Sequence, residues 1–264
     1  MHLVPAPAAA TGRDFVELDV PAGAWVALLA VLAVMLAVDL LRHRDDHEPT
    51  PREALGETLA WVACGLAFAG VVAIAYGSRA SGEYLAGYLI EKSLSVDNVF
   101  VWSVLFTTLA IPLRYQHRVL FWGIFGALVL RLSFIVVGTA LIDRFFWLLV
   151  VFGVFLVVTG VRVLRHRPDE GEGSAARALG LVRRVMPVST EYDGHAFTTR
   201  RHGHRVATPL LAALVVIELT DVVFALDSVP AVLAVSHEPF LVFASNAFAI
   251  VGLRAMYFLL AAAR

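Results

Sequence analysis

The sequence predicts an all-α fold, a polytopic membrane helix bundle of about seven spans, and three observations predict it. Hydrophobic residues make up 59% of the 264 and charged residues only 16%, with a mean hydropathy of +0.77, whereas soluble domains run near half apolar and a quarter charged. Apolar windows of about twenty residues, the length that crosses a bilayer, recur along the whole chain. Arginines gather in alternate connections between those windows. On a soluble globule the apolar excess would lie exposed, so the lipid bilayer is the partner this composition implies. Disordered, collagen-like and coiled-coil chains are excluded, and a lone Cys64 excludes an internal disulfide framework. A formal net charge of −1 leaves no basic excess for nucleic acid.

The expected spans lie near 22–41, 55–76, 83–109, 119–141, 145–163, 207–235 and 240–262, within a single membrane domain covering 1–264. The first reads as a retained helix and not a signal peptide. Its apolar stretch is near full membrane length, only Arg13 precedes it, and Arg42 and Arg44 follow directly. Connections 42–54, 111–118 and 164–206 carry thirteen arginines, against three (Arg13, Arg79 and Arg144) on the opposite side. The positive-inside rule therefore places the N-terminus outside and the arginine-rich loops in the cytoplasm of a bacterial inner membrane. Segment 164–206 is the cytoplasmic loop and begins as a linker. Within it, 175–185 reads either as an amphipathic helix presenting Arg177, Arg183 and Arg184 to headgroups or as a solvated basic loop that fixes topology.

Ionisable groups inside the spans carry the functional signal. The third span holds Glu91, Lys92, Asp97 and Asn98; the fourth holds Arg131; the sixth holds Glu218, Asp221 and Asp227; the seventh holds Arg254. A mid-membrane charge costs about 2.5–3.5 kcal/mol on insertion scales, so eight facing lipid would cost about 20 kcal/mol or more. They must face one another or a wet cavity. Five carboxylates against Lys92, Arg131 and Arg254 leave an excess of about two negative charges, which suits one divalent cation or two protons. The candidate metal ligands are Glu91, Asp97, Asn98, Glu218, Asp221 and Asp227, with Ser95, Thr220, Ser228 and Asp39 as secondary ligands. Lys92, Arg131 and Arg254 compensate charge when the site is empty. Every donor is oxygen, which suits Mg²⁺, Ca²⁺ and Mn²⁺ and disfavours zinc and copper. Carboxylates would repel an oxyanion such as tellurite. Pure helix-bridging ion pairing is the structural alternative.

The two acidic spans resemble each other. Glu91-Lys-Ser-Leu-Ser-Val-Asp97-Asn98-Val99 aligns with Asp221-Val-Val-Phe-Ala-Leu-Asp227-Ser228-Val229, and Leu130-Arg131 with Phe134 aligns with Leu253-Arg254 and Tyr257. Three crossings separate the copies, so they run in opposite directions, as in transporters built from inverted repeats. The expected plan is an inverted repeat of three-helix units. The first unit is 83–163, within the spans of 22–163, and the second is 207–264, truncated and therefore incomplete. On a regular helix Glu91, Ser95 and Asn98 share a face, whereas Asp97 lies about 120° round from Glu91. Both acids reach one ion only if the helix unwinds. Pro230 is expected to supply such a break in the second copy.

These segments resemble the TerC/Alx family of bacterial integral membrane proteins. The resemblance rests on the Glu91–Phe100 and Glu218–Ala231 motifs, on Pro187-Val-Ser-Thr-Glu-Tyr, Ala207-Thr-Pro-Leu and Ser245-Asn-Ala-Phe-Ala-Ile-Val-Gly-Leu-Arg, and on Asp39-Leu-Leu-Arg-His-Arg. It implies an inner-membrane protein of the LysE-type transporter superfamily linked to Mn²⁺ efflux, with a family name that records tellurite resistance. Carried over by position, Glu91, Asp97, Glu218, Asp221 and Asp227 match the family's acidic motifs. Asp39 matches too, and reads first as a helix-end or entry-path residue. Family members usually continue beyond the segment matching 253–260, which implies a short chain completed in some other way, for instance by homo-oligomerisation.

The expected function is export of a divalent cation, Mn²⁺ foremost, with proton coupling, because packed carboxylates take up protons as metal leaves. No prosthetic group is expected, and the cation is the transported ligand. The alternative is a non-transporting scaffold or tellurite-stress protein acting through 164–206. Enzymatic activity is not expected, since the aspartyl-protease reading lacks a Gly-x-Gly-Asp segment. His43 with His47, and His195 with His202 and His204, read as polar loop before metal sensor. Cys64 reads as a packing residue, and Gly123, Gly126 and Gly138 as points of close helix approach.

Overall fold

The computed structural model describes residues 15–42, 50–145, 191–201 and 204–262, together with isolated positions between 147 and 189. Helices α1 (Ala22–Arg42), α2 (Pro51–Tyr76), α3 (Ser78–Thr108) and α4 (Leu113–Arg144) are followed by a two-stranded hairpin, β1 (Thr198–Arg201) and β2 (His204–Ala207). Helices α5 (Pro209–Leu233), α6 (Pro239–Val251) and α7 (Leu253–Ala262) complete the order. By length and apolarity α1, α2, α4, α5 and the α6–α7 pair can each cross a membrane. The 31 residues of α3 are long enough as well, but their charges lower its hydropathy. Of the fifth expected span only scattered positions are described, helical from Val150 to Val161 and with exposed side chains such as Val150, Val154 and Val157; most of 175–185, with Arg177 and Arg183, lies outside the described residues, as do His43, His47 and His202.

Local sequence fixes the helix ends. At the start of α2 the Thr50 hydroxyl accepts from the Glu53 amide at 3.4 Å, and the Glu53 carboxylate accepts from the Thr50 amide at 2.8 Å. This reciprocal cap, with Pro51 at the first helical position, satisfies amides that the helix leaves unpaired. Between α2 and α3 the chain reverses at Gly77, whose φ of +92° is strained for any residue with a Cβ. A single glycine also divides the seventh expected span. A Cβ at Gly252 would stand 2.9 Å from Trp61 Cβ and 3.3 Å from Lys92 Nζ, so only glycine lets α2 and α3 pack against the α6–α7 junction. Pro230 behaves differently from expectation. Helix α5 continues through it to Leu233, because the ring removes a single amide and so frees only the Leu226 carbonyl, which leaves the remaining helical hydrogen bonds in place.

Helix α6 is the centre of the molecule. Every residue from Phe240 to Val251 is buried, which marks a helix enclosed by protein on all sides. It packs against α3 and α4 and, less extensively, against α1 and α2. The outer helices turn branched apolar side chains such as Val26, Leu59, Ile74 and Val137 outward, the pattern of helices solvated by lipid. Contacts sort the connections into two ends. At one end the Val16 amide donates to Glu83, the Leu18 amide donates to Glu238, and Phe15 stacks on His237. At the other end Tyr257 donates to Gln116 at 2.6 Å and His117 stacks on Phe258. This second end carries the arginine-rich α1–α2 and α3–α4 connections and the hairpin.

The hairpin is anchored there by aromatic contacts. The Tyr192 hydroxyl donates to the Leu109 and Ala110 carbonyls of the α3–α4 turn, both at 3.2 Å, and its ring stacks on Tyr115. Burial and the neighbouring Tyr115 push the Tyr192 phenol above its ordinary range, so it keeps the proton it donates. Thr208 ties the strand to α5, its amide donating to the Phe197 carbonyl and its hydroxyl to the Ala196 carbonyl.

Close approach of α3 to the centre depends on Gly87. A Cβ there would lie 2.8 Å from Ser245 Oγ and 3.1 Å from Val232 Cγ1, contacts that force helices apart. Gly87→Val is expected to cost about 1–3 kcal/mol and to lower the thermal midpoint in detergent. Gly82→Val, where a Cβ meets nothing within 4 Å, should leave it nearly unchanged.

Candidate functional site

At the middle of the bundle the Arg131 guanidinium of α4 is 1% exposed. One terminal nitrogen donates to Glu91 Oε1 of α3, to Ser228 Oγ of α5 at 3.1 Å and to Asn246 Oδ1 of α6 at 2.8 Å. The other donates to Asp221 Oδ1 of α5 at 3.2 Å. Four helices thus meet on one side chain. Arginine suits the position because its planar fork offers several donors at fixed angles and stays charged in any protein environment. The Ser95 hydroxyl reaches Glu91 Oε1 from one turn along α3 at 3.5 Å.

Oxygen capacity exceeds what Arg131 uses. Glu91 Oε2, Asp221 Oδ2 and Asn98 Oδ1 are buried and meet no hydrogen-bond donor among the described residues. Two carboxylates against one guanidinium also leave a formal charge of −1. Buried acceptors of this kind are costly unless something satisfies them. In chemical terms the cluster can take a cation or a proton beside Arg131, or a cation in its place.

The expected ligands separate into three groups. Glu91, Asp221 and Ser228 hold Arg131, Ser95 backs Glu91, and Asn98 lies buried on the same face of α3 two turns beyond Glu91. Glu91 and Asp221, which occupy equivalent positions in the two aligned motifs, meet on the same guanidinium. Glu218 sits apart, its carboxylate against the Cα of Gly126, where a Cβ would come 2.0 Å from Oε1. Around it α4 and α5 form an apolar groove with Trp122, Phe125 and Leu214. Asp97 is exposed on the outer side of α3. The helix does not unwind there, and at 3.6 residues per turn an acid six positions on from Glu91 must face away. The Asp227 side chain lies outside the described residues. The Thr220 hydroxyl donates to its own helix at Ile217. Among the described residues no three His, Cys, Asp or Glu side chains are grouped as a metal centre; Glu91 and Asp221 are the two acids that converge here, on the guanidinium.

The other expected charge compensators serve different partners. Arg254 donates to the Asp39 carbonyl at 2.7 Å and to its carboxylate at 2.6 Å, forming a second buried ion pair between α7 and the end of α1. Asp39 is thereby a charge partner. Lys92 donates to the Ala249 carbonyl at 3.3 Å, capping the carbonyl end of α6 beside Gly252. Sequence reasoning missed Asn246. Its signal was an amide within a stretch of α6 that is otherwise apolar apart from Ser245, a residue type that must find partners when buried.

A model of the integral membrane protein TerC family matches residues 76–263. The chain is 48% identical over 242 residues to an uncharacterized membrane protein of Myxococcus xanthus, covering 91% of this chain and 76% of that protein. It is 44% identical over 248 residues to Alx of Escherichia coli (strain K12), whose name proposes a membrane-bound redox modulator, covering 90% and 77%. To the tellurium resistance protein TerC of Serratia marcescens it is 37% identical over 266 residues, covering 92% and 77%. No solved structure matches it.

Removing Arg131 strands two buried carboxylates. Arg131→Leu is therefore expected to cost about 3–5 kcal/mol, whereas Glu91→Leu, Asp221→Leu and Arg131→Leu combined should recover most of that loss, because no buried charge then lacks a partner. Thermal unfolding in detergent checks both. A single variant as stable as the parent would mean that the acids are not ionised at this site.

Proposed function

Because this chain belongs to the TerC family of integral membrane proteins, we propose that it is a transporter that exports a hard divalent cation, Mn²⁺ foremost, across the bacterial inner membrane. The observation that carries the reading is the Arg131 cluster. It holds two buried carboxylates on facing helices with acceptor oxygens to spare, bridged by a cation that belongs to the protein. Intramembrane ionisable groups are expensive and mark ion paths more often than they stabilise. Oxygen-only donors favour Mn²⁺, Mg²⁺ or Ca²⁺ over softer metals.

In this scheme Arg131 acts as the internal counter-ion of the empty, closed state. A divalent ion arriving from the cytoplasmic end displaces the guanidinium from Glu91 Oε1 and Asp221 Oδ1. It takes those oxygens together with Glu91 Oε2, Asp221 Oδ2 and the Asn98 and Ser228 oxygens. When the ion leaves, the carboxylates regain Arg131 or take up protons, which gives proton antiport a physical basis. Rocking of the α3 and α5 motifs, related as inverted repeats, would expose the site alternately to the two sides. The arginine-rich loops lie in the cytoplasm and the N-terminus outside. Asp97, turned outward, is left out of the ion's immediate shell. The tellurium resistance named for the Serratia relative does not make an oxyanion the cargo, since an acidic site repels it.

Expression in a manganese-sensitive bacterium tests the reading. The parent chain should raise the tolerated manganese concentration, and Glu91→Gln and Asp221→Asn should each remove the protection while membrane abundance stays unchanged. Protection retained by both variants would refute the site.

A further inference from the structure

We infer that the β1–β2 hairpin is a docking surface for the anionic phospholipid headgroups of the leaflet it faces. Its register sets Arg200 directly opposite Arg205, so both guanidinium groups project from the same face of a two-stranded sheet. Like charges placed directly opposite destabilise a strand pair. Neither arginine has a carboxylate partner among the described residues, and both are exposed. The nearby acid does not offset them. Asp193 accepts from the Thr199 hydroxyl at 2.8 Å, which places it toward the opposite face, because neighbouring strand residues alternate.

Position supplies the second part of the case. Arg205 stands four residues before Pro209, where the membrane-length helix α5 begins, a separation of at most about 13 Å along an extended strand. The hairpin cannot swing away freely, being held by Tyr192 on the α3–α4 turn and by Thr208 on α5. Arg114 and Arg118 are exposed on the adjoining turn of α4, and Arg118 lies over the Phe197 ring at 5.1 Å. Phe197 shares the Thr199 face of the strand, so these two arginines add basic charge at the same end of the molecule from the other side of the hairpin. Two arginines opposed on one sheet face, at an end that also carries Arg114 and Arg118, form a basic surface that phosphate groups neutralise and that a zwitterionic lipid satisfies poorly. Lipid phosphate then offsets the repulsion built into the Arg200–Arg205 register. The inference concerns this surface alone and stands independently of what the Arg131 cluster carries.

The test uses the full chain with Cys64→Ser and Thr198→Cys, the new thiol carrying an environment-sensitive fluorophore. The protein is placed in nanodiscs of phosphatidylcholine alone or mixed with phosphatidylglycerol, each with a trace of lipid carrying a nitroxide on its headgroup. Quenching should be stronger with phosphatidylglycerol and fall back at high salt, where exposed charges are screened. Arg200→Gln with Arg205→Gln should weaken the phosphatidylglycerol preference roughly tenfold, whereas Arg200→Lys with Arg205→Lys should keep most of it, which separates charge from hairpin folding. Equal quenching in both lipids, or a preference untouched by the glutamine pair, overturns the inference. So does loss of quenching to inorganic phosphate at matched ionic strength, which would make the ligand free phosphate.

Discussion

One guanidinium holds the centre of this protein together. Arg131 is fixed by groups from α3, α5 and α6, and any rearrangement of those helices must break or exchange its contacts. Taking an arginine out of water costs several kcal/mol unless charge and geometry compensate. Two carboxylates, a hydroxyl and an amide supply that compensation here. The same arrangement leaves carboxylate oxygens unused, and under the proposed function these are the oxygens a further positive charge would take. Stability and the proposed transport therefore depend on one competition, between the protein's own cation and an incoming one.

The rest of the fold arranges itself around that competition. Helix α6 is enclosed on every side and presents Asn246 to Arg131, and α7, beyond the glycine junction, presents Arg254 to Asp39. The α6–α7 pair thus contributes one polar group to each buried ion pair, with Gly252 between them. Lys92, adjacent to Glu91, serves the carbonyl end of α6 instead of an acid. This sets a helix end and a cation side by side at the α6–α7 junction, one residue along α3 from the acid that holds Arg131.

Much of this was legible in the sequence, and the reasons differ by feature. The spans could be read because an apolar run of membrane length has few alternatives. The inward placement of Glu91, Ser95 and Asn98 followed from helical periodicity, as did the divergence of Asp97 from that face. The pairing of charges was not legible. Arg131 and Arg254 occupy equivalent places in the repeated motif, yet one meets Glu91 and Asp221 and the other meets Asp39, because partner choice depends on which helix packs alongside. Pro230 looked like a helix break, but it frees only the Leu226 carbonyl and the remaining helical hydrogen bonds stay in place. The need for glycine at 252, where α6 gives way to α7, comes from the tertiary approach of Trp61 and Lys92, and no local pattern announces it. Glu218 belongs to the acidic motif yet lies against Gly126, a contact decided by the packing of α4 on α5.

The competition between Arg131 and a divalent ion is tested most directly by thermal unfolding of Arg131→Gln in detergent, with and without Mn²⁺. Without its guanidinium the site holds two carboxylates and no counter-ion, so the account predicts a destabilised protein that manganese restores. An ion that binds only the folded state adds about 2.7 kcal/mol at a hundred times its dissociation constant. The rescue should vanish when Glu91→Gln is added. A variant whose midpoint ignores manganese, or one rescued equally with Glu91→Gln present, would contradict the claim that the metal takes the place of the arginine.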